Sequence, residues 1–429
     1  MATNKDRASH FLEKYLTGVD ESELDKRLSS KPELAYQSLP RNHKLSPEVV
    51  AERWNVLGVD ASVKTQLLDS LTEAQMPVYK KNIENFIGTV KLPVGIAGPL
   101  RVNGLFAQGD YNIPLATSEA ALVASYNRGA QLITRAGGCT AILLNEGVGR
   151  APGFAFSDVL SAGRFSMWII ANQDNFSRVA ESTTSHGKLI DMRITIEGNH
   201  VYLIFEYSTG DASGQNMVTI ATDSIVSYII DNSPVSPEYH FVEANLSGDK
   251  KASAQSFLSV RGKKVTTEVH ISKALIKKML HTTPDKMVKY WRMSAIGGVL
   301  SGTIGVQGHY ANGLAALYIA CGQDAACVAE SAVGVTRFEV NDEGGLYAAV
   351  TMPNLMVGTV GGGTGLPSQR ACLEIMGLAG EGKAHAFAEV TASIALAGEL
   401  SIIGALAAGH FTRAHKNLAR GNDKSPAPA

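Results

Sequence analysis

Between Gly153 and Asn245 the sequence changes its periodicity in an order that few folds accommodate. The strand-like GFAF at 153–156 leads into a helical stretch through about Asn172, and LIDMRITIEGNHVYLIFEY reads as two alternating strands joined at Glu197, Gly198 and Asn199. GQNMVTIATDSIVSYII is again helical and YHFVEAN strand-like, so the order is β-α-β-β-α-β, the ferredoxin-like pattern. It is flanked by segments of different character and is expected to be an insertion between two halves of something larger. Modules of this order often bind RNA, but the solvent-facing aromatic pairs of an RNA-recognition sheet are not evident, so no nucleic acid is expected.

The flanks set the rest of the architecture. Residues 1–83 are charged, with short helical patterns such as SPEVVAERWNVLG, and predict a small helical domain. From Asn85, FIGTVKLPVGIAGPLRVNG alternates short apolar runs with Gly and Pro as strands and turns do, and a long helix is expected from about Thr117 to Thr134. After residue 250 the run GGVLSGTIGVQGHYANGLAALYIACGQDAACVAESA reads as a core helix whose glycines imply very close packing. The expected class is α+β, with a large domain formed by 84–151 and 243–429 around the inserted 152–242.

Composition narrows the partners. A formal net charge of −1 over 429 residues favours neither a polyanion nor an anionic membrane surface, so any anion must be bound locally. The opening MATNKDRASHFLEKYL has no apolar core of signal-peptide type, and the apolar VTASIALAGELSIIGALAAGH is interrupted by Glu399, so no membrane span and a cytoplasmic location are expected. Four cysteines without a CxxC pair fit reduced thiols, and no metal site is expected.

GTVGGGTGLP at 358–367 raises the question of a nucleotide. Its glycines contain no i, i+2, i+5 triple, so this is not a Rossmann turn. They precede the helical PSQRACLEIMG, however, and a helix N-terminus favours phosphate. Four polar residues also stand in apolar or glycine-rich company. Glu119 could be an acid favoured by a helix dipole, Lys250 part of a solvated Asp-Lys-Lys run, and His415 a surface histidine where a helix turns basic. Asp324 is the formally charged residue in an otherwise apolar stretch between His309 and Glu330, and a buried carboxylate there calls for a cation or donor.

Taken together these segments resemble the 3-hydroxy-3-methylglutaryl-coenzyme A (HMG-CoA) reductase family. ENFIGTVKLPVGIAGPL, PLATSEAALVASYNRG, GDASGQNM, DKK, HYANGLAALYIACGQDAA, TMPNLMVGTVGGGTGLPSQ and AGELSIIGALAAGHFTRAH look like its motifs, in its order, over nearly everything after residue 80. The resemblance implies a large mixed helical and β catalytic domain around a long central helix, a non-Rossmann cofactor domain in the insertion, and a dimer or higher oligomer with active sites at the subunit interface. It implies reduction of HMG-CoA to mevalonate and coenzyme A by two hydrides from NADPH, with NADH as the alternative. By position, Lys250 would stabilise the oxyanion and His415 would protonate the leaving thiolate. Glu119 would supply the alkoxide proton, and Asp324 would link lysine and glutamate. Arg150, Lys251 and Asn312 match substrate contacts. Asp211, Ser213, Gly214, Gln215, Asn216, Gly361, Gly362 and Gly363 match the cofactor side, and His309 matches a position with no assigned role.

Departures qualify the resemblance. Where animal-type enzymes place an arginine for the 2′-phosphate, this chain has TTSHGK, so Ser185, His186 or Lys188 would have to bind it. The short run after His415 resembles class I, which favours NADPH, and Gly421 replaces the serine phosphorylated in regulated animal enzymes. The rivals are a thioester hydrolase, which would need a nucleophile in an elbow with a base, and a nucleotide sensor, which has no use for all four catalytic side chains.

Overall fold

A computed structural model describes residues 4–409 apart from 19, 36, 41–43 and 185. It divides into two compact units, Met1–Pro77 with Ile83–Thr89, and Val78–Asn82 with Val90–Ala429. In the first, short helices start at side-chain caps, among them Ser46 before Pro47–Leu57 and Asp69 before Ser70–Ala74. Val50, Trp54, Met76 and Phe86 form its small core, and the Trp54 indole donates to the Ile87 carbonyl at 3.0 Å.

The second unit is built on ten strands. They are β1 (Val94–Gly104), β2 (Gln108–Ala116), β3 (Cys139–Arg150), β4 (Gly153–Ala155), β5 (Lys188–Glu197), β6 (His200–Ser208), β7 (Tyr239–Phe241), β8 (Gly262–Ile271), β9 (Val335–Val340) and β10 (Leu346–Leu355). The path runs β7-β4-β6-β3-β8-β10-β9, with β5 added on β6 and the β1–β2 hairpin on β3. Apart from the parallel β1–β3 pair, the ladders are antiparallel. Strand β3 serves both parts, because Thr140–Gly147 pairs with β8 while Val148–Arg150 pairs with β6. That continuity delivers Arg150 to the junction.

The helix Ala384–Ala407 is apolar on all sides, which suits a helix surrounded by protein, and nearly all of it from Ala384 to Gly404 is buried. Two carboxylates go with it into the core. Glu389 accepts the N–H groups of Phe106 and Ala107, each at 2.8 Å, and of Leu143 at 3.1 Å, while Glu399 accepts those of Gly308 at 2.7 Å and His309 at 2.9 Å. Oriented donors replace the water that burial removes, so each acid ties a turn to the core helix.

The helix Leu122–Arg135 crosses this core helix almost backbone to backbone, since a Cβ at Gly129 would lie 1.8 Å from the Ala397 carbonyl oxygen. Gly129→Ala is therefore expected to destabilise the protein. The helix propensity of alanine returns up to about 1 kcal/mol, whereas forcing two backbones apart costs about 3 kcal/mol or more. A denaturant midpoint no lower than wild type would disprove the close crossing.

Two expected helices are shorter than the sequence suggests. The one expected from Thr117 begins at Leu122, because Ala121 has a left-handed φ of +70° and breaks the turn before it. The glycine-rich run expected as one helix is divided into Pro284–Ser301 and Tyr310–Ala320, interrupted by Gly302 at φ +74° and Gly305 at φ +94°. A second break follows at Gly322, φ +67°. Close packing holds at Gly305, whose Cβ would meet the Gly334 carbonyl oxygen at 2.3 Å, but a Cβ at Gly297 would meet nothing within 4 Å.

Candidate active site

The break after the helix Tyr310–Ala320 puts Asp324 at the start of the turn Ala325–Cys327, where its Oδ1 accepts the Ala326 N–H at 3.0 Å. Its Oδ2 lies 2.8 Å from the Lys250 ammonium. This is the cation the sequence called for. The pair is not sealed, however: the two side chains are 39% and 38% exposed, so a ligand can reach both. Partial burial pushes the Asp324 pKa up, but the hydrogen bonds from Lys250 and Ala326 outweigh it and hold the carboxyl below its usual range. The hydrogen bond to Asp324 correspondingly raises the pKa of Lys250 against its own partial burial.

A cleft of about 570 Å³ adjoins this pair. It is lined by Ser213 to Asn216, at the start of the helix Gln215–Asn232, by Gly361 to Gly363, and by Asp324. The Gln215 amide donates to Asp324 Oδ2 at 3.4 Å and to Cys327 Sγ at 2.8 Å. Gly358 has a structural reason of its own, since a Cβ there would fall 2.5 Å from the Ser213 amide nitrogen. A Cβ on Gly361 or Gly362, by contrast, would meet no protein atom within 4 Å, and both residues have left-handed φ, +73° and +54°. The bare backbone at those two positions leaves space that the fold itself does not fill.

Of the other residues expected on the cofactor side, Asp211 turns its carboxylate to the amides of Gly382 (2.7 Å) and Ala384 (3.1 Å), where it braces the start of the core helix. The His186 amide donates to Thr184 Oγ1 at 3.2 Å in the exposed turn before β5. Ser185 and His415 lie outside the described residues.

Arg150, at the end of β3, is almost fully buried, with Nη1 3.0 Å from Asp249 Oδ2 and 3.3 Å from Glu243 Oε2. Lys251 is exposed and folds its ammonium onto the Asp249 carbonyl at 2.8 Å. Asp249 also lies 2.7 Å from Arg261 Nη2, and Arg261 pairs with the buried Glu330. Lys250 and Lys251 thus share one turn, and Asp249 of that turn ties Arg150 to it. Asp249, Arg261 and Glu330 were not picked out from the sequence, although a second acid following Asp324 in CVAES was a signal for the last of them.

Glu119 and Asn312 meet elsewhere. Asn312 donates to Glu119 Oε2 at 2.8 Å, and both line a second cavity of about 470 Å³ with Ser125, Arg128, His309 and Ile402. His309 Nδ1 lies 3.4 Å from Glu399 Oε1, and its ring stacks on Tyr126 at 5.1 Å. Lys250 and Asp324 do not line this cavity, nor do Glu119 and Asn312 line the glycine-walled cleft.

Comparison with known proteins gives this geometry a context. A family model described as hydroxymethylglutaryl-coenzyme A reductase matches residues 49–420. The chain is 45% identical over 376 residues to the 3-hydroxy-3-methylglutaryl-coenzyme A reductase of Methanothermobacter thermautotrophicus, covering 87% of this chain and 94% of that one. It is 40% identical over 358 residues to reductase 2 of Dictyostelium discoideum, covering 81% and 66%. Among solved structures, the class II reductase of Streptococcus pneumoniae, described as bound to NADPH in open conformations, is similar in fold with a TM-score of 0.62 at 19% identity, covering 87% of this chain and 100% of that one.

Proposed function

This chain belongs to the hydroxymethylglutaryl-coenzyme A reductase family, and on that premise we propose that it reduces HMG-CoA to mevalonate and free coenzyme A with NADPH as the hydride donor. The observation that carries the reading is the Lys250–Asp324 pair, open to solvent beside a cleft walled by Gly361 to Gly363. The open space over Gly361 and Gly362 and the start of the helix Gln215–Asn232 suit a dinucleotide. When bound, each dinucleotide supplies one hydride, so two are used in turn.

The protein's side chains handle charge and protons. The first reduction turns the thioester carbonyl into an oxyanion, and the Lys250 ammonium, kept charged by Asp324, stabilises it. The C–S bond then breaks and the departing thiolate takes a proton from His415. Reduction of the resulting aldehyde leaves an alkoxide, which takes its proton from Glu119, oriented by Asn312. Lys251, on the same turn as Lys250, and Arg150, tied to that turn through Asp249, are the cations for the substrate carboxylate.

Several structural features support finer points. The antiparallel order β7-β4-β6-β5 supports reading residues 152–242 as a ferredoxin-like cofactor domain within a catalytic domain formed by 84–151 and 243–429, and the compact unit Met1–Pro77 with Ile83–Thr89 supports a helical domain over about 1–83. The separate placement of the Glu119 and Lys250 groups supports a dimer in which each active site takes Glu119 and Asn312 from one protomer and Lys250 and Asp324 from the other. The helix Pro284–Ser301 offers exposed apolar surface for such contact at Met293, Ile296, Val299 and Leu300. His186 and Lys188 are the candidates for a 2′-phosphate contact that would distinguish NADPH from NADH, and the four buried thiols suit the cytoplasm.

Absorbance at the reduced-nicotinamide band tests the proposal, with HMG-CoA and each cofactor in turn. NADPH should be consumed faster than NADH, with two equivalents oxidised for each coenzyme A released. Release of coenzyme A without oxidation would identify a hydrolase instead.

A further inference from the structure

Lys250 is held at both ends by one short segment. Asp324 binds its ammonium, and Glu330 Oε1 lies 3.4 Å from its backbone N–H, with only the turns Ala325–Cys327 and Val328–Ser331 between the two acids. Lys250 needs such holding, because its φ of +55° is left-handed, a conformation unfavourable for an L-residue. Asn245 and Gly248 in the same loop are also left-handed, at φ +68° and +71°. The loop therefore depends on its surroundings for its shape.

Those surroundings form a chain of alternating charge. Glu330, 1% exposed, pairs through Oε1 with Arg261 Nη1, Arg261 Nη2 reaches Asp249 Oδ1 at 2.7 Å, and Asp249 Oδ2 takes Arg150 Nη1 at 3.0 Å. Burial pushes the Glu330 pKa up, and Arg261 works against that. Stability alone is a weak reason for such an arrangement, since a buried ion pair is often no better than an apolar pair of the same size.

We propose that Glu330 and Arg261 are positioning residues for the reduction: from inside the protein they fix the 249–251 turn so that the Lys250 ammonium stays on Asp324 and Arg150 faces the same turn. The proposal rests on the reading of Lys250 as the group beside the reacting carbonyl. Neither residue touches substrate. Their effect passes through the turn, so their loss should lower kcat more than it alters cofactor binding.

The test uses full-length Glu330→Gln and, because a lone buried Arg261 could unfold that variant, the neutral double variant Glu330→Gln with Arg261→Met. Thermal melts establish folding. A folded variant is expected to lose about tenfold in kcat with KM for NADPH within about twofold. The pH profile adds a readout that general loosening would not move. Asp324 raises the Lys250 pKa, so an ammonium that has left Asp324 loses its proton at lower pH, and the alkaline limb of kcat should move to lower pH than in the wild-type protein. Asp324, Asp249 and Cys327 are the titratable groups acting on Lys250, and all three remain in both variants. Wild-type kcat, or a lower kcat with an unmoved alkaline limb, overturns the positioning role. Absence of HMG-CoA-dependent oxidation in the wild-type protein would instead overturn the reading of the site on which it rests.

Discussion

Lys250→Ala is expected to lower HMG-CoA-dependent NADPH oxidation by about a thousandfold, the upper range for removing one fixed donor from a developing oxyanion. Both half-reactions should suffer, because thioester and aldehyde carbonyls each become oxyanions beside the same ammonium. Stability should change little. The side chain is 39% exposed and its partner 38%, so the pair is screened by water and contributes about 1 kcal/mol or less. Alanine inherits the same left-handed φ as lysine, so no new backbone strain is added. Single-turnover measurements with HMG-CoA and with mevaldehyde, beside a thermal melt, separate the outcomes. A folded variant retaining a tenth of wild-type activity on either substrate would remove Lys250 from the chemistry.

What could be read in the sequence was whatever depends on local pattern. The strands around Glu197–Asn199 and the helix Gln215–Asn232 follow from periods of two and 3.6 residues, and Pro367 marks the helix after the glycine loop. Asp324 stood out because a lone acid in apolar company needs a partner. Its setting did not, because the breaks around Tyr310–Ala320 come from left-handed glycines at 302, 305 and 322, and composition gives glycines in a packed helix and glycines that end one the same appearance. Glu119 was likewise expected inside a helical turn but lies ahead of it, because Ala121 takes a left-handed φ of +70° that its residue type does not announce.

Long-range partners were the least legible part. Glu399 was visible as an interruption in an apolar run, yet nothing local says that its oxygens accept the amides of Gly308 and His309. Nor does anything local say that the Asp211 carboxylate, expected on the cofactor side, accepts the amides of Gly382 and Ala384 at the start of the core helix. Glu330 and Arg261 come from segments 69 residues apart and meet only in the folded chain. Each is an acid or base inside the protein, and its meaning depends on which counter-charge tertiary folding brings to it.

The second large effect is expected at Glu119→Gln. Glutamine keeps the size of the side chain and can still accept from Asn312 Nδ2, so the cavity should keep its shape. It cannot give up a proton to an alkoxide, and loss of a general acid lowers kcat by about a hundredfold to ten-thousandfold. The arrangement of the two cavities makes this variant more informative in combination. Lys250→Ala and Glu119→Gln chains, each inactive alone, should regain activity when coexpressed with separable tags. In a mixed dimer one active site carries both lesions, and the other receives Lys250 from one protomer and Glu119 from its partner, both intact. Random pairing makes half the dimers mixed and one site in two of those competent, so about a quarter of wild-type activity should return. Mixed dimers isolated through both tags that stay inactive would mean that Glu119 and Lys250 act within one chain, and the two-protomer site would have to be abandoned.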